Sequence, residues 1–295
     1  MISVWLRVIR IRFLLASVIA VSLGLAINWW QTGNIEIFDA ILTMCGVLAL
    51  HASVDLLNDY WDFKRGIDTA TQRTKMSGGT GVLPEGLLKP KQVYVAGIIF
   101  LIAGTAIGAY FVFTDGIIIG LILAFAVLSV YFYSTKIVDW GLAEIFIVIK
   151  GTMIVIGTYF IQTTQITESA VLGGIVVGTL SSFVLFITSF PDHDADKAKG
   201  RKTLVISVGK ERACSILWIF PTIVYSITIP AIIFGIFPVF CLIILLTIPL
   251  IVKSGQKLKQ NYNQLTNLIP AMSSTLYFSR ITGALFVVGF LVNVV

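Results

Sequence analysis

The feature that most limits what this chain can fold into is a succession of long apolar runs divided by short polar stretches. A helix crosses the hydrocarbon of a bilayer with about 20 apolar residues. Runs of that order lie near residues 13–30, 37–57, 93–113, 116–133, 144–162, 169–190, 214–234, 237–252 and 276–295. They predict an all-α polytopic membrane protein with nine transmembrane helices in one bundle, residues 1–295 forming a single membrane domain. The mean hydropathy of +0.94 excludes a water-soluble globule, and 12% charged beside 57% hydrophobic residues excludes disorder. Connections as short as Thr114–Asp115 and Gly235–Ile236 fit tight helical hairpins. The first run follows Arg7, Arg10 and Arg12 in the manner of a signal peptide. It is too long for one and lacks a clear cleavage site, so it reads as a span. Cys45, Cys214 and Cys241 form no CxxC pair and the chain has only two histidines, which supports neither a disulfide framework nor a zinc site.

The basic residues give the orientation. Of the 21, nineteen fall in the N-terminal flank and in the 58–92, 134–143, 191–212 and 253–275 loops, all on one side of a nine-span arrangement. The connections around 31–36, 114–115, 163–168 and 235–236 carry none, while Lys150 falls within the fifth run and Arg280 at the start of the ninth. Cytoplasmic flanks are enriched in Lys and Arg, so the N-terminus and the basic loops are expected in the cytoplasm, with the chain in the cell membrane. No nucleic-acid partner is expected.

Two of these loops combine six basic residues with four acidic ones. The first opens on Asn58, Asp59, Asp62, Lys64, Arg65 and Asp68, directly after the second run. If the helix continues, Asp55, Asn58 and Asp62 share a face. Oxygen ligands so placed suit a hard cation such as Mg²⁺; the alternative is a solvated helix end paired with Lys64 and Arg65. The second motif, Pro191-Asp192-His193-Asp194-Ala195-Asp196, follows the sixth run, with Asp192 and Asp196 on one face and Asp194 turned away. Bunched carboxylates resist charging without a cation. Two such clusters facing each other are able to hold two Mg²⁺ ions with a diphosphate between them, nearby Lys and Arg taking the remaining phosphate oxygens. Asn58 to Asp192 and Asp62 to Asp196 share an offset of 134 residues, which suggests two four-helix pseudo-repeats plus one helix.

Together these residues resemble the UbiA-type intramembrane prenyltransferases. Asn58, Asp59 and Asp62 match the start of that family's NDxxDxxxD motif, with Gly66 where its last Asp falls and Asp68 two residues later. Asp192 and Asp196, followed by Gly200, Thr203 and Leu204, match its DxxxD…GKxTL, with Arg201 in place of the usual Lys. Tyr133-Ser134 with Gly141-Leu142-Ala143-Glu144 is similar to its YS…GLGE stretch, and residues 77–86 to a loop of quinone-type members. The spacing around Asp68 is most similar to the branch acting on 1,4-dihydroxy-2-naphthoate in menaquinone biosynthesis.

The resemblance implies nine helices around a central cavity and Mg²⁺-dependent transfer of a polyprenyl group from polyprenyl diphosphate to an aromatic acceptor. It assigns metal to Asn58, Asp59, Asp62, Asp68, Asp192 and Asp196, and the diphosphate to Lys64, Arg65, Arg201 and Lys202. The catalytic set it implies is Asp62, Asp196, Lys64 and Tyr133, where Tyr131 or Tyr133 faces the allylic cation or anchors at the interface. His51 reads either as a base for a phenolic acceptor or as a hydrogen-bonded interior histidine. Lys150 reads as a substrate ligand or as the partner of an interior carboxylate. Other acceptors within the family are 4-hydroxybenzoate, a haem, a chlorophyllide or a lipid glycerol. The reading from another class is a cation or solute transporter, disfavoured because nearly all acids sit at one membrane face.

Overall fold

A computed structural model describes residues 1–68, 73–74 and 76–292. Lys75, one of the basic residues counted above, and the last three residues lie outside them. A short α1 (Ile2–Val8) leads into α2 (Ile11–Thr32), α3 (Ile37–Lys64), α4 (Pro90–Asp115) and α5 (Ile117–Phe132), the last extended by a π turn over Tyr133–Ile137. Next come α6 (Ala143–Thr163), α7 (Glu168–Ala198), α8 (Leu204–Val208), α9 (Lys210–Ile216) and α10 (Ile219–Ile233). A 3₁₀ stretch over Val239–Thr247 runs into α11 (Ile248–Asn261), and α12 (Leu265–Val292) closes the order. Among the described residues there is no strand, and nine segments are long and apolar enough to cross a membrane. The expected all-α, nine-span architecture is present.

Four helices run well beyond their apolar stretch, among them that of the eighth span, expected to end at 252, where α11 continues to Asn261. The second expected span ends at 57, yet α3 continues to Lys64; the sixth ends at 190, yet α7 continues to Ala198 through Pro191. Both extensions are polar, and both hold an acidic motif rigidly at the end of a long helix. The ninth span, expected from 276, begins at Thr266. Thr266 and Asn267 in its first turn are exposed, and the following turns are held by a neighbour: Ser254 of α11 donates to the Ala271 carbonyl at 3.0 Å and lies 2.5 Å from the Thr275 hydroxyl. Hydrophobicity alone misses a helix whose polar residues are satisfied by a neighbour. Arg280 therefore stands near the middle of α12, not at its start.

Packing divides the bundle. On one side Phe183, Phe186, Phe190, Phe220, Phe278 and Phe286 are buried between α7, α10 and α12, with the Phe183 and Phe220 rings stacked at 4.9 Å. On the other side α2 to α7 and α12 surround a cavity of about 330 Å³. Outward faces carry exposed apolar side chains such as Phe113, 90% exposed, which suits a lipid surface. The cavity wall depends on close contact of α6 with α7: a Cβ on Gly178 would lie 2.4 Å from the Val148 carbonyl oxygen, and one on Gly174 would lie 2.9 Å from Thr152 Cα. Small residues four apart let two membrane helices approach to backbone contact.

Gly178→Val is accordingly expected to force α6 from α7 at a cost of about 1–3 kcal/mol, the usual penalty of overpacking. Unfolding of the purified protein in detergent checks this against Gly120→Ala, whose new Cβ meets nothing nearer than 3.5 Å.

Candidate active site where two long helices end

Both acidic motifs finish their helices in the same way. In α3 the Gly66 amide donates to the Phe63 carbonyl at 3.0 Å and the Ile67 amide to Asp62 at 2.9 Å; in α7 the Gly200 amide donates to Lys197 at 3.1 Å and the Arg201 amide to Asp196 at 3.0 Å. Gly66 (φ +69°) and Gly200 (φ +80°) take the left-handed position of this cap. The four residues keep the 134-residue offset of the motifs. This also accounts for Gly66 where the family motif has Asp: the position needs a left-handed backbone. The cap turns the chain back, so that Arg201 lies beside the carboxylate of its own helix.

Arg201 is the centre of the site. Its guanidinium donates to Asp196 Oδ1 at 3.2 Å and also to Asp62 Oδ1, tying α7 to α3. All three side chains are buried. Burial opposes the charge on Arg201, but Asp62 and Asp196 outweigh it and hold the guanidinium protonated. Asn58 donates to Asp62 Oδ2 at 3.1 Å and accepts from the Ser134 hydroxyl at 2.7 Å, which brings in the π turn after α5.

The other expected residues separate into groups. Among the described residues, Asp192 accepts the Gly78 amide at 3.2 Å on Oδ2 and leaves Oδ1 buried without a partner. Asp68 Oδ2 is likewise unpartnered, and the residues 77–81 loop presses so close that a Cβ on Gly79 would lie 2.4 Å from Asp68 Oδ1. Asp59, fully buried, is used otherwise: Arg10 donates to its Oδ1 at 2.9 Å, and the Thr80 hydroxyl and amide donate to its two oxygens. It fastens the loop and the N-terminal segment. Arg65 is engaged with the Ser134 carbonyl at 2.8 Å and with Asp139 at 3.0 Å. Lys64 is exposed, its ammonium 5.9 Å from the Tyr60 ring centre, and Lys202 is exposed as well. Tyr133 lines the cavity, whereas Tyr131 is exposed and does not. Asp194 pairs with Lys210 at 3.1 Å, away from the centre.

Sequence reasoning missed Arg10 and Thr80. Arg10 stood in plain view among three arginines before the first span, but nothing local marks which of them turns inward. A further brace joins the loop to α1: Glu85 accepts from Arg7 at 2.8 Å and Arg73 at 2.5 Å, and these hydrogen bonds pull its carboxyl down to about 2.

Among the described residues no three acidic, His or Cys groups already converge as a metal cage, because Arg201 fills the space between Asp62 and Asp196. The donor set nevertheless fits a hard divalent cation. Asp62 and Asp196 bond one guanidinium, Asp68 and Asp192 lie within its electrostatic reach, and one oxygen of each of the latter two is buried without a hydrogen bond among the described residues. Burial first, and then Asp62 and Asp59, push the Asp68 carboxyl up to about 8, the mark of a carboxylate short of positive charge.

Opposed carboxylates on arginine beside an apolar cavity define a membrane-embedded site with a charged end and a greasy interior. The chain belongs to the UbiA prenyltransferase family, whose model matches residues 14–291, and it is a prenyltransferase. That membership decides against the transporter. It is 27% identical to the 1,4-dihydroxy-2-naphthoate octaprenyltransferase of Bacillus subtilis, over 95% of this chain and 89% of that one. With the enzyme of the same name from Escherichia coli the identity is 23%, over 97% and 94%. A UbiA homologue from Archaeoglobus fulgidus, solved bound to GPP and Mg²⁺, shares the fold with a TM-score of 0.62 and 16% identity, covering 96% and 99%.

The raised Asp68 carboxyl has a consequence for stability. The fold favours its neutral form, so the metal-free protein is expected to lose stability as pH rises from about 4 to about 8. A divalent cation that takes the carboxylate should restore it most at the upper end. Thermal melting in EDTA and in Mg²⁺ across that range checks this, and Asp68→Asn should flatten the EDTA slope.

Proposed function

We propose that the chain transfers a polyprenyl group from polyprenyl diphosphate to 1,4-dihydroxy-2-naphthoate, in the menaquinone route, with Mg²⁺ as cofactor. The observation that carries this reading is the single centre formed by Asp62 and Asp196 on Arg201, next to a cavity with mostly apolar walls. The acceptor is supported by the names of the Bacillus and Escherichia relatives, and the metal by the Archaeoglobus homologue. In this reading the site faces the cytoplasm of a cell membrane, in line with the basic loops on that side.

Asp62, Asp68, Asp192 and Asp196, helped by the Asn58 oxygen, would hold Mg²⁺, and Asp59 would act through the loop it anchors. When bound, Mg²⁺ supplies the positive charge that stabilises a departing diphosphate. The protein's own donors add to it: Arg201 and Arg10 each keep a buried Nε–H with no acceptor among the described residues, a donor available to a phosphate oxygen. Lys64 and Lys202, exposed beside the centre, raise the local positive potential for an arriving diphosphate. As the allylic carbon–oxygen bond breaks, positive charge develops on the prenyl carbon. The Tyr133 ring, lining the cavity, presents a π face to that charge, and the apolar walls keep water from it.

Membranes containing the protein, given labelled geranylgeranyl diphosphate and 1,4-dihydroxy-2-naphthoate, are expected to form prenylated product in Mg²⁺ and none in EDTA. Asp62→Asn and Asp196→Asn should each lower the rate about 100-fold or more, the scale of removing one preorganised electrostatic group. Product with 4-hydroxybenzoate or a lipid glycerol alone would overturn the acceptor.

A further inference from the structure

Seven buried side-chain polar atoms lack a hydrogen-bond partner among the described residues, and four of them belong to residues lining the cavity between α2 to α7 and α12: Arg10 Nε, Thr43 Oγ1, Asp55 Oδ2 and Arg280 Nε. Lys150 lines the same cavity, and neither it nor Arg280 has an ion pair within 4.0 Å among the described residues. Arg10 is balanced by Asp59 at 2.9 Å. Two cations then remain against one carboxylate, Asp55, which lies 3.8 Å from His51 Nε2. His51 in turn spends Nδ1 on the Ser17 hydroxyl at 2.7 Å.

Ionisable groups inside a membrane bundle are costly and are kept where something pairs with them. Here the protein supplies one anion too few. The missing partner is negative, and the aliphatic and aromatic side chains around it ask for an apolar body. A diphosphate does not meet this need, because its centre is at the ends of α3 and α7. Lys150 is the eighth residue of α6, about 10 Å along the helix from its start, and Arg280 is near the middle of α12. A prenyl chain does not meet it either, because hydrocarbon leaves both cations unpaired. A flat aromatic carrying one carboxylate satisfies both the charge and the walls.

We propose that Lys150 and Arg280 form an anion subsite that takes the carboxylate of an aromatic-acid acceptor, leaving Asp55 for a ring hydroxyl. The proposal rests on the naphthoate reading of the acceptor and deepens it by naming the residues that hold its carboxylate, a group that neutral rings and lipid glycerols lack. It also gives Lys150 the substrate role over the carboxylate-pairing one, and leaves His51 an interior histidine fixed by Ser17.

Equilibrium binding of 1-hydroxy-2-naphthoate and of 1-naphthol to the purified full-length protein, read by probe fluorescence, tests it. Wild type should bind the acid about tenfold or more tightly than the naphthol, the worth of a charge-assisted pair. Lys150→Met and Arg280→Met should each erase most of that preference while leaving naphthol affinity in place, and Lys150→Arg should keep it. Unchanged naphthol binding reports an intact cavity, and Lys150→Gln and Arg280→Gln serve if a Met variant does not fold. Equal binding of the two probes by wild type, or a preference that survives both substitutions, overturns the subsite. Absence of prenyl transfer to any acceptor would instead defeat the proposed reaction, since these affinities are read without turnover.

Discussion

The arrangement depends on one buried cation between two buried carboxylates. Asp62 ends α3 and Asp196 ends α7, and both are charged groups taken out of water. Each alone would be strongly unfavourable; Arg201 offsets both at once by donating to each. Removing Arg201 leaves two buried carboxylates without their cation, and removing either carboxylate breaks the bridge between α3 and α7, so the trio acts as a unit. The same contact joins the first and second acidic motifs, which are far apart in sequence, into one centre at one end of the bundle. A site built this way is poised for a divalent cation, because its carboxylates outnumber the guanidinium that holds them.

Everything around this contact keeps it in register. Matching helix caps at Gly66 and Gly200 set the direction in which each motif leaves its helix. The glycine contact of α6 with α7 fixes the cavity wall deeper in the bundle, Gly178 lying 18 residues before Asp196 along α7. Asp59, Thr80 and Arg10 hold the residues 77–81 loop over Asp68 and Asp192. The cavity below then needs only an apolar lining and a few charges, and Lys150 and Arg280, without an ion pair among the described residues, carry the proposed preference for an acid.

The sequence makes some of this legible and hides the rest for physical reasons. Hydropathy and the one-sided basic residues give the nine spans, because lipid exposure demands apolar side chains over a fixed length. The two acidic motifs and their 134-residue offset are equally plain. Roles within the motifs are not: Asp59 looks like any other motif carboxylate until Arg10 and Thr80 are seen to occupy it, and Lys64 sits beside Asp62 in sequence yet turns outward. Contacts between residues tens of positions apart decide these roles, and no local pattern encodes them. Arg280 was placed at a helix start because Asn267, Ser273 and Ser274 lower the hydropathy of the turns before it. In those turns Asn267 donates to Gln264, Ser274 donates back to the Pro270 carbonyl, and Ser254 of α11 donates to the Ala271 carbonyl.

A double-mutant cycle on Asp62→Asn and Asp196→Asn, read as Mg²⁺-dependent prenyl transfer, tests the shared centre most directly. If the two carboxylates work as one unit through Arg201, the double variant loses little more than either single one, the non-additivity of groups that act together. Losses that multiply would show two independent sites and contradict the account.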